Sequence, residues 1–376
     1  MSSKHSALGT HSECVEYRKL GATREWSQSE DDEMRRSRLS PALWVASVLA
    51  LVGCQGGAPS DMGTSSESSS DSSSEASSQE VNGSLFSLEL GEGLGIEGVS
   101  PELVAHPEGG YLLLVTGLGQ DRAYRSDDGV SFTPDPGMRI PMGSDYSLLQ
   151  KPDGSWLLYY VTFDMPPMEP GQPGQPGQPG EPGQPVQPAQ PMDPKTMKKK
   201  VMVSESSDLS SFPEGVPTGI QQDEPGMAWG VPDTWVDPNG SYRMMWVDMP
   251  EGERWEVLRT ATSQDGITFT PDEGYAITDG YVDPFMLKAE EGDWVLLLST
   301  TPATERLPQR IYVATSSNGM DWSIEDEPIL YDEDRNYLDP AAVEVSPDEW
   351  VVVISTVEKA NALSGPYEYV GARLSR

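Results

Sequence analysis

Aromatic-led apolar runs recur along the chain, each introduced by a short polar turn. Asp153-Gly154-Ser155 leads into Trp156-Leu157-Leu158-Tyr159-Tyr160-Val161. The phrase returns as Glu108-Gly109-Gly110 before Tyr111 to Leu114, and as Pro238-Asn239-Gly240-Ser241 before Tyr242 to Trp246. Two further copies are Glu291-Gly292-Asp293 before Trp294 to Leu298, and Pro347-Asp348-Glu349 before Trp350 to Val353. Gly, Asn or Asp supplies a tight hairpin turn, and the unbroken apolar run after it fits a strand buried on both faces. A second phrase follows three of the copies: Ser126-Asp127-Asp128-Gly129, Ser263-Gln264-Asp265-Gly266 and Ser316-Ser317-Asn318-Gly319, with a degenerate version from Ser204 to Phe212. Repeated four-stranded units predict an all-β propeller. No stretch keeps a 3.6-residue apolar period, so helix is expected to be scarce.

The copies place blades at about 98–138, 141–220, 229–278, 281–330 and 337–376, which makes five. Ahead of them, Ser84-Leu85-Phe86-Ser87-Leu88-Glu89-Leu90 alternates with period two. This N-terminal strand is expected to close the last blade as its missing outer strand, so that the folded domain covers 81–376. The second blade is lengthened by an insertion at 170–194, in which Gly171 to Pro185 reads as consecutive Gly-Gln-Pro or Gly-Glu-Pro triplets. So few triplets in one chain cannot sustain a collagen triple helix, and a solvated polyproline II arm overhanging the mouth of the propeller is expected.

The stretch before the domain changes the picture from a free enzyme-like domain to an exported one. Arg35-Arg36-Ser37-Arg38, the apolar run Leu43 to Leu51, and Leu51-Val52-Gly53-Cys54 read as a signal peptide over 34–54, too short to remain as a bilayer span. Leu51-Val52-Gly53-Cys54 resembles a bacterial lipobox, which makes Cys54 the lipidated first mature residue. Residues 1–33 fit no part of such a signal, and Met34 is the expected initiator. From 55–80 the chain is almost all Ser, Glu, Asp, Gly and Ala, a disordered tether between lipid and domain. An exported protein of the bacterial envelope, held to the outer membrane or cell surface by its lipid alone, is the expectation.

Charge and cysteines narrow the chemistry. The formal net charge is −35 over 376 residues, and the first 54 carry seven basic and seven acidic residues, so the mature part keeps all of it. Nucleic acid and acidic glycans are unsuitable partners for that field. Neutral or cationic ligands remain, and a monomer is expected. The cysteines are Cys14 and Cys54, which leaves the mature domain neither a disulfide framework nor a thiolate metal site. His106 is the only histidine after the lipobox, so multi-His metal sites and catalytic triads are nearly excluded. No cofactor is expected; the dispersed spacing of the channel acids leaves calcium open. Lys198-Lys199-Lys200 reads as a solvated strand start or edge guard.

In a propeller the first strand of each blade lines the central channel. An acid lies just upstream of every hairpin phrase: Glu102, Asp145, Asp233, Asp283 and Asp339. Converging carboxylates raise one another's pKa, which is how general acids are made, and glycoside hydrolysis requires one protonated and one ionised carboxyl. Asp also caps turns and Pro presets strand starts, which is the structural alternative for each of them. Tyr146, Trp229, Trp235, Tyr281 and Phe285 lie close to the acids and are candidate platforms for sugar rings, or else packing between blades.

At these residues the chain resembles the five-bladed propeller superfamily of arabinanases, β-xylosidases, invertases and levansucrases, over about 84–376. Val231-Pro232-Asp233 looks like the Ala-Pro-Asp motif of the arabinanase-like members, and Asp283-Pro284 resembles their transition-state-assisting Asp. On that register Asp145 matches the general base. The family's acid is a Glu where this chain has Asp339. In an invertase-like register, Trp229-Gly230-Val231-Pro232-Asp233 resembles Trp-Glu-Cys-Pro-Asp with Gly230 in the acid's place. Asp237, in a copy of the hairpin phrase, reads as a turn residue. The Ser-x-Asp-Gly phrases resemble the Asp-box turns of sialidases, so Asp128, Asp265 and Asn318 are expected to hold turns. The resemblance implies a neutral glycan in an acidic funnel, with hydrolysis by Asp145 as base and Asp339 as acid, Asp233 and Asp283 tuning, and Glu102 as substitute. The competing expectation is a non-catalytic propeller acting as a binding or interaction module of the envelope.

Overall fold

A computed structural model describes residues 84–117, 122–164 and 196–376. The leader at 1–33, the signal and Cys54 within 34–54, the tether at 55–80 and the inserted arm at 170–194 lie outside the described residues.

Among the described residues, twenty strands form five antiparallel four-stranded sheets. Blade 1 holds β2 (Val99–Ala105), β3 (Tyr111–Thr116), β4 (Ala123–Ser126) and β5 (Thr133–Pro134). Blade 2 holds β6 (Ser144–Gln150), β7 (Trp156–Phe163), β8 (Lys199–Ser206) and β9 (Val216–Gln221). Blade 3 holds β10 (Gly230–Val236), β11 (Tyr242–Asp248), β12 (Val257–Ser263) and β13 (Thr270–Pro271). Blade 4 holds β14 (Tyr281–Glu290), β15 (Asp293–Thr300), β16 (Ile311–Ser316) and β17 (Ser323–Ile324). Blade 5 runs β18 (Arg335–Ser346), β19 (Glu349–Glu358), β20 (Glu368–Ser375), and its outer strand is β1 (Ser87–Glu97) from the other end of the domain. The N-terminal strand thus closes the last blade, as the sequence predicts, with Ser87 opposite Ser375 and Glu97 opposite Glu368. Joining the two ends of the domain in one sheet covers the edge that β20 would otherwise present for pairing.

The apolar runs are continuous because each second strand feeds two cores. On β7, Leu157, Tyr159 and Val161 face blade 3, while Trp156, Leu158 and Tyr160 face blade 1. On β19, Trp350, Val352 and Ile354 pack toward blade 4, and Val351 and Val353 toward blade 1. The period-two alternation of a strand therefore delivers successive residues to opposite neighbours, and both are apolar. Five such inter-blade cores complete the ring.

Both repeated turn phrases lie at the far ends of the blades. The Asp128 Oδ1 accepts the N–H groups of Val130 and Ser131 at 2.8 Å, and Ser126 Oγ accepts from Gly129 N at 2.9 Å. Asp265 and Asn318 make the same bonds in blades 3 and 4. These side chains are used up in holding turns. Asp237 lies in the β10–β11 hairpin at that same end, where it accepts Trp235 Nε1–H at 2.8 Å.

Candidate functional site at the mouth of the ring

The five innermost strands β2, β6, β10, β14 and β18 surround the axis in that order. Each carries a bulge near its start, and at each bulge a non-glycine residue has a left-handed φ: Ser100 (47°), Asp145 (51°), Val231 (49°), Asp283 (52°) and Asp339 (47°). Such conformations cost about 1–3 kcal/mol each and persist only where the surroundings enforce them. At three of the five a hydrogen bond around the ring helps to enforce the conformation. Ser100 N–H points to Asp339 Oδ2 of blade 5 at 3.1 Å, Val231 N–H to Asp145 Oδ2 of blade 2 at 3.5 Å, and Asp339 N–H to the Asp283 carboxylate of blade 4.

The axial acids fall into two tiers. Asp145, Asp283 and Asp339 stand on the bulges themselves. Glu102 and Asp233 come two residues after the bulge residues Ser100 and Val231, so they sit deeper in the channel. Glu102 Oε1 accepts Leu148 N–H of blade 2 at 2.7 Å, and Asp233 Oδ2 accepts Met286 N–H of blade 4 at 2.6 Å. All five junctions between blades are therefore crossed by one axial carboxylate that accepts a backbone N–H from the following blade. One acid per blade is, first, a circumferential staple.

Above the upper tier the ring opens into a cavity of about 450 Å³. Asp145, Asp283 and Asp339 line its floor, while Glu102 and Asp233 line a void of about 20 Å³ shared by both tiers. Burial pushes Asp283 up, against a hydrogen bond from the Ser299 hydroxyl. Asp339, buried and then opposed by the charge of Asp283, is held well above the usual carboxylate range. Each of these two carboxyls is thus disfavoured in its charged form, and at Asp339 their proximity adds to the effect of burial. Below them burial lifts Asp233 to about 7, and burial together with the Asp233 charge raises Glu102 well above its ordinary value. Asp145 is half-buried, with Ser144 Oγ at 3.3 Å from Oδ2 and its own N–H donated to Thr116 Oγ1 at 2.9 Å. A Cβ on Gly230 would lie 2.9 Å from Asp145 Oδ2, so the glycine in the expected acid's place makes room for this carboxylate.

Of the five aromatic candidates, Trp229 lines the cavity. Tyr146 is buried between blades 1 and 2, where its hydroxyl donates to the carbonyls of Pro141 and Gly143. Trp235 is buried in the core between blades 3 and 4, and Tyr281 packs there edge-on against Tyr312. Phe285 lies against two inter-blade cores and the lower void. These four are placed outside the cavity because the strand-start pleat turns them sideways into neighbouring blades.

Four lining residues escaped the sequence reading. Glu256, just ahead of β12, is 6% exposed and lines the cavity. Gln309 is 2% exposed; its Nε2 donates to Thr300 O at 2.7 Å and its Oε1 has no partner. Tyr367 lines the wall, donates to Ala362 O, and is pushed up to about 12 by burial and the neighbouring acids. Lys199 corrects the expectation of a solvated strand start. Its Nζ donates to Trp229 O at 2.9 Å inside the cavity wall, and burial lowers its pKa while Asp145 raises it. Three of these residues stand on connections between second and third strands, and Lys199 begins a third strand. Those connections carry no repeated phrase, so spacing does not reveal them; their position on the cavity side of the ring is the signal that points there. Among the described residues, no group of three or more His, Cys, Asp or Glu has the geometry to hold a metal ion.

No protein-family model matches the chain, and no curated protein does. Solved structures do. An N-acetylgalactosamine deacetylase from F. plautii, crystallised with blood group B trisaccharide, aligns with a TM-score of 0.52 and 11% identity, over 76% of this chain and 95% of that one. An endo-arabinase from Bacteroides thetaiotaomicron aligns at 0.49 and 13% identity, over 76% of this chain and 96% of that one. An exo-1,5-alpha-L-arabinanase from a bovine ruminal metagenomic library aligns at 0.48 and 12% identity, over 74% and 94%. At such identities the likeness is one of fold, and what it establishes is that this chain is a five-bladed β-propeller.

Proposed function

We propose that the cavity binds a neutral glycan and hydrolyses it, on a propeller exported and lipid-anchored through Cys54 to the bacterial envelope. The observation that carries the reading is the convergence of Asp145, Asp283 and Asp339 on the floor of one cavity of about 450 Å³, with Asp283 and Asp339 both raised by burial. A protonated and an ionised carboxyl on one floor are what glycosidic bond cleavage needs. In this reading Asp145, half-buried and facing the cavity, is the base. Asp339 is the acid, kept protonated by burial and by Asp283, which tunes it. Glu102 and Asp233, pinned to backbone below the floor, act on stability. The N-acetylgalactosamine deacetylase that shares this fold was crystallised with a trisaccharide, which supports a sugar ligand.

The test is a screen for hydrolysis and binding on neutral plant and bacterial oligosaccharides with wild type, D145N and D283N. Turnover in wild type and its loss in both folded variants is the expected result; full activity in both variants removes the assignment. The staple bonds favour a second reading, a binding module of the envelope, since Asp145 and Asp339 already accept backbone N–H groups. Saturable binding without turnover in wild type selects it. Labelling with a clickable fatty acid, lost in C54A, tests the anchor.

A further inference from the structure

The cavity changes character with height. Its floor presents the carboxyls of Asp145, Asp283 and Asp339, rich in accepting oxygens, with Glu256 and the unpartnered Gln309 Oε1 on the wall. The lining cation is Lys199, one of whose protons already goes to Trp229 O, and the Tyr367 hydroxyl is spent on Ala362 O. A ligand head that satisfies this floor must bring donors of its own. Toward the open rim apolar side chains dominate. Phe163, Met197 and Trp229 form the wall near blades 2 and 3, and the rim exposes Met142 (57%), Met227 (38%) and Leu363 (36%). Large apolar side chains left this open around one mouth mark a surface that is covered when the site is filled. A glycan extending upward through this zone would press hydroxyls against thioethers and methyls, and each hydroxyl stripped of its partner costs about 1–3 kcal/mol.

We infer that the ligand is an amphipathic glycoside: a donor-rich sugar head on the carboxylate floor, carrying an apolar alkyl or aryl aglycone that rests against the methionine-rich wall and rim. The inference deepens the glycan reading and rests on it. Flexible, polarisable methionines suit an aglycone of variable shape better than rigid walls do. The donor-rich head separates this ligand from a plain fatty chain, which would leave Gln309 Oε1 and the floor carboxylates facing nothing. Trp229, in the wall, reports occupancy through its fluorescence.

The experiment titrates the full chain with methyl glycosides of several neutral pentoses and hexoses, the hexyl glycosides of the same sugars, and hexanol and hexylamine, following tryptophan emission and calorimetric heat. A buried methylene is worth about 0.8 kcal/mol, or about four-fold in affinity. Two that find the wall give about sixteen-fold, so at least one sugar should bind ten-fold or more tightly as its hexyl than as its methyl glycoside. The double variant M227S/L363S should cut that hexyl-to-methyl ratio at least four-fold. Equal affinity of the methyl and hexyl forms overturns the aglycone inference and leaves the glycan reading standing. Hexanol or hexylamine binding as tightly as every hexyl glycoside overturns the sugar head, and the glycan reading with it. An unchanged ratio in the folded double variant places the chain elsewhere and overturns the proposed wall.

Discussion

Asp233 offers the sharpest test of the staple. It is buried, its Oδ2 accepts Met286 N–H at 2.6 Å, and it titrates at about 7 in the folded chain against a usual 3.8. The folded state therefore holds a proton that the unfolded chain has released, and Asp233 lends stability that is full below about pH 3.8 and lost as pH rises through about 7. A gap of about 3 pH units at about 1.36 kcal/mol each amounts to about 4 kcal/mol, of which roughly 2.5 kcal/mol falls between pH 5 and pH 8. D233N keeps an oxygen for Met286 and removes the charge, so it should stabilise the protein, and more at pH 8 than at pH 5. For a domain of this size, at roughly 2 °C per kcal/mol, the gap between variant and wild-type melting temperatures should widen by roughly 5 °C between those pH values. Glu102, Asp283 and Asp339 are raised in the same sense, so the wild type should itself melt lower at pH 8 than at pH 5, and D233N removes its own share together with the part of the Glu102 shift that the Asp233 charge causes. Thermal unfolding followed by tryptophan fluorescence at the two pH values reads the effect. A variant destabilised equally at both would show that the ionised carboxylate is the form the junction needs, and would refute the reasoning.

E102A leaves Leu148 N–H buried without its acceptor and should cost about 1–3 kcal/mol, whereas E102Q keeps one; denaturant melts of the pair separate lost bond from lost charge. G230A drives a methyl into Asp145 Oδ2 and into a backbone with φ of 133°, so it should lose whatever binding or turnover D145N loses and melt lower besides. Removing residues 84–98 strips β1 from β20 and bares Val370, Ala372 and Leu374; the truncated chain should aggregate or fail to melt cooperatively, and a cooperative monomeric melt would show that the ring holds without its clasp.

The turn-plus-apolar-run phrase determines much of this protein unaided. A strand that must be buried on both faces, repeated five times with period-two alternation, leaves few arrangements other than blades packed around an axis. The alternating segment at Leu85 to Leu90 likewise announces a strand in need of a sheet. One axial acid per blade is legible too, from Glu102 to Asp339. Their distribution was decided in three dimensions. Where a bulge falls between a strand's start and its first hydrogen-bonded pair fixes which side chain reaches the cavity and which the channel below, and two residues of offset separate Asp145 from Glu102 in level. The same geometry turned Tyr146, Trp235, Tyr281 and Phe285 sideways into the cores and brought Glu256, Gln309 and Lys199 in from segments with no repeat. Repeating strands obey local periodicity, which a sequence displays; a cavity is made where loops of unequal length from different blades converge, and only the closed ring brings them together.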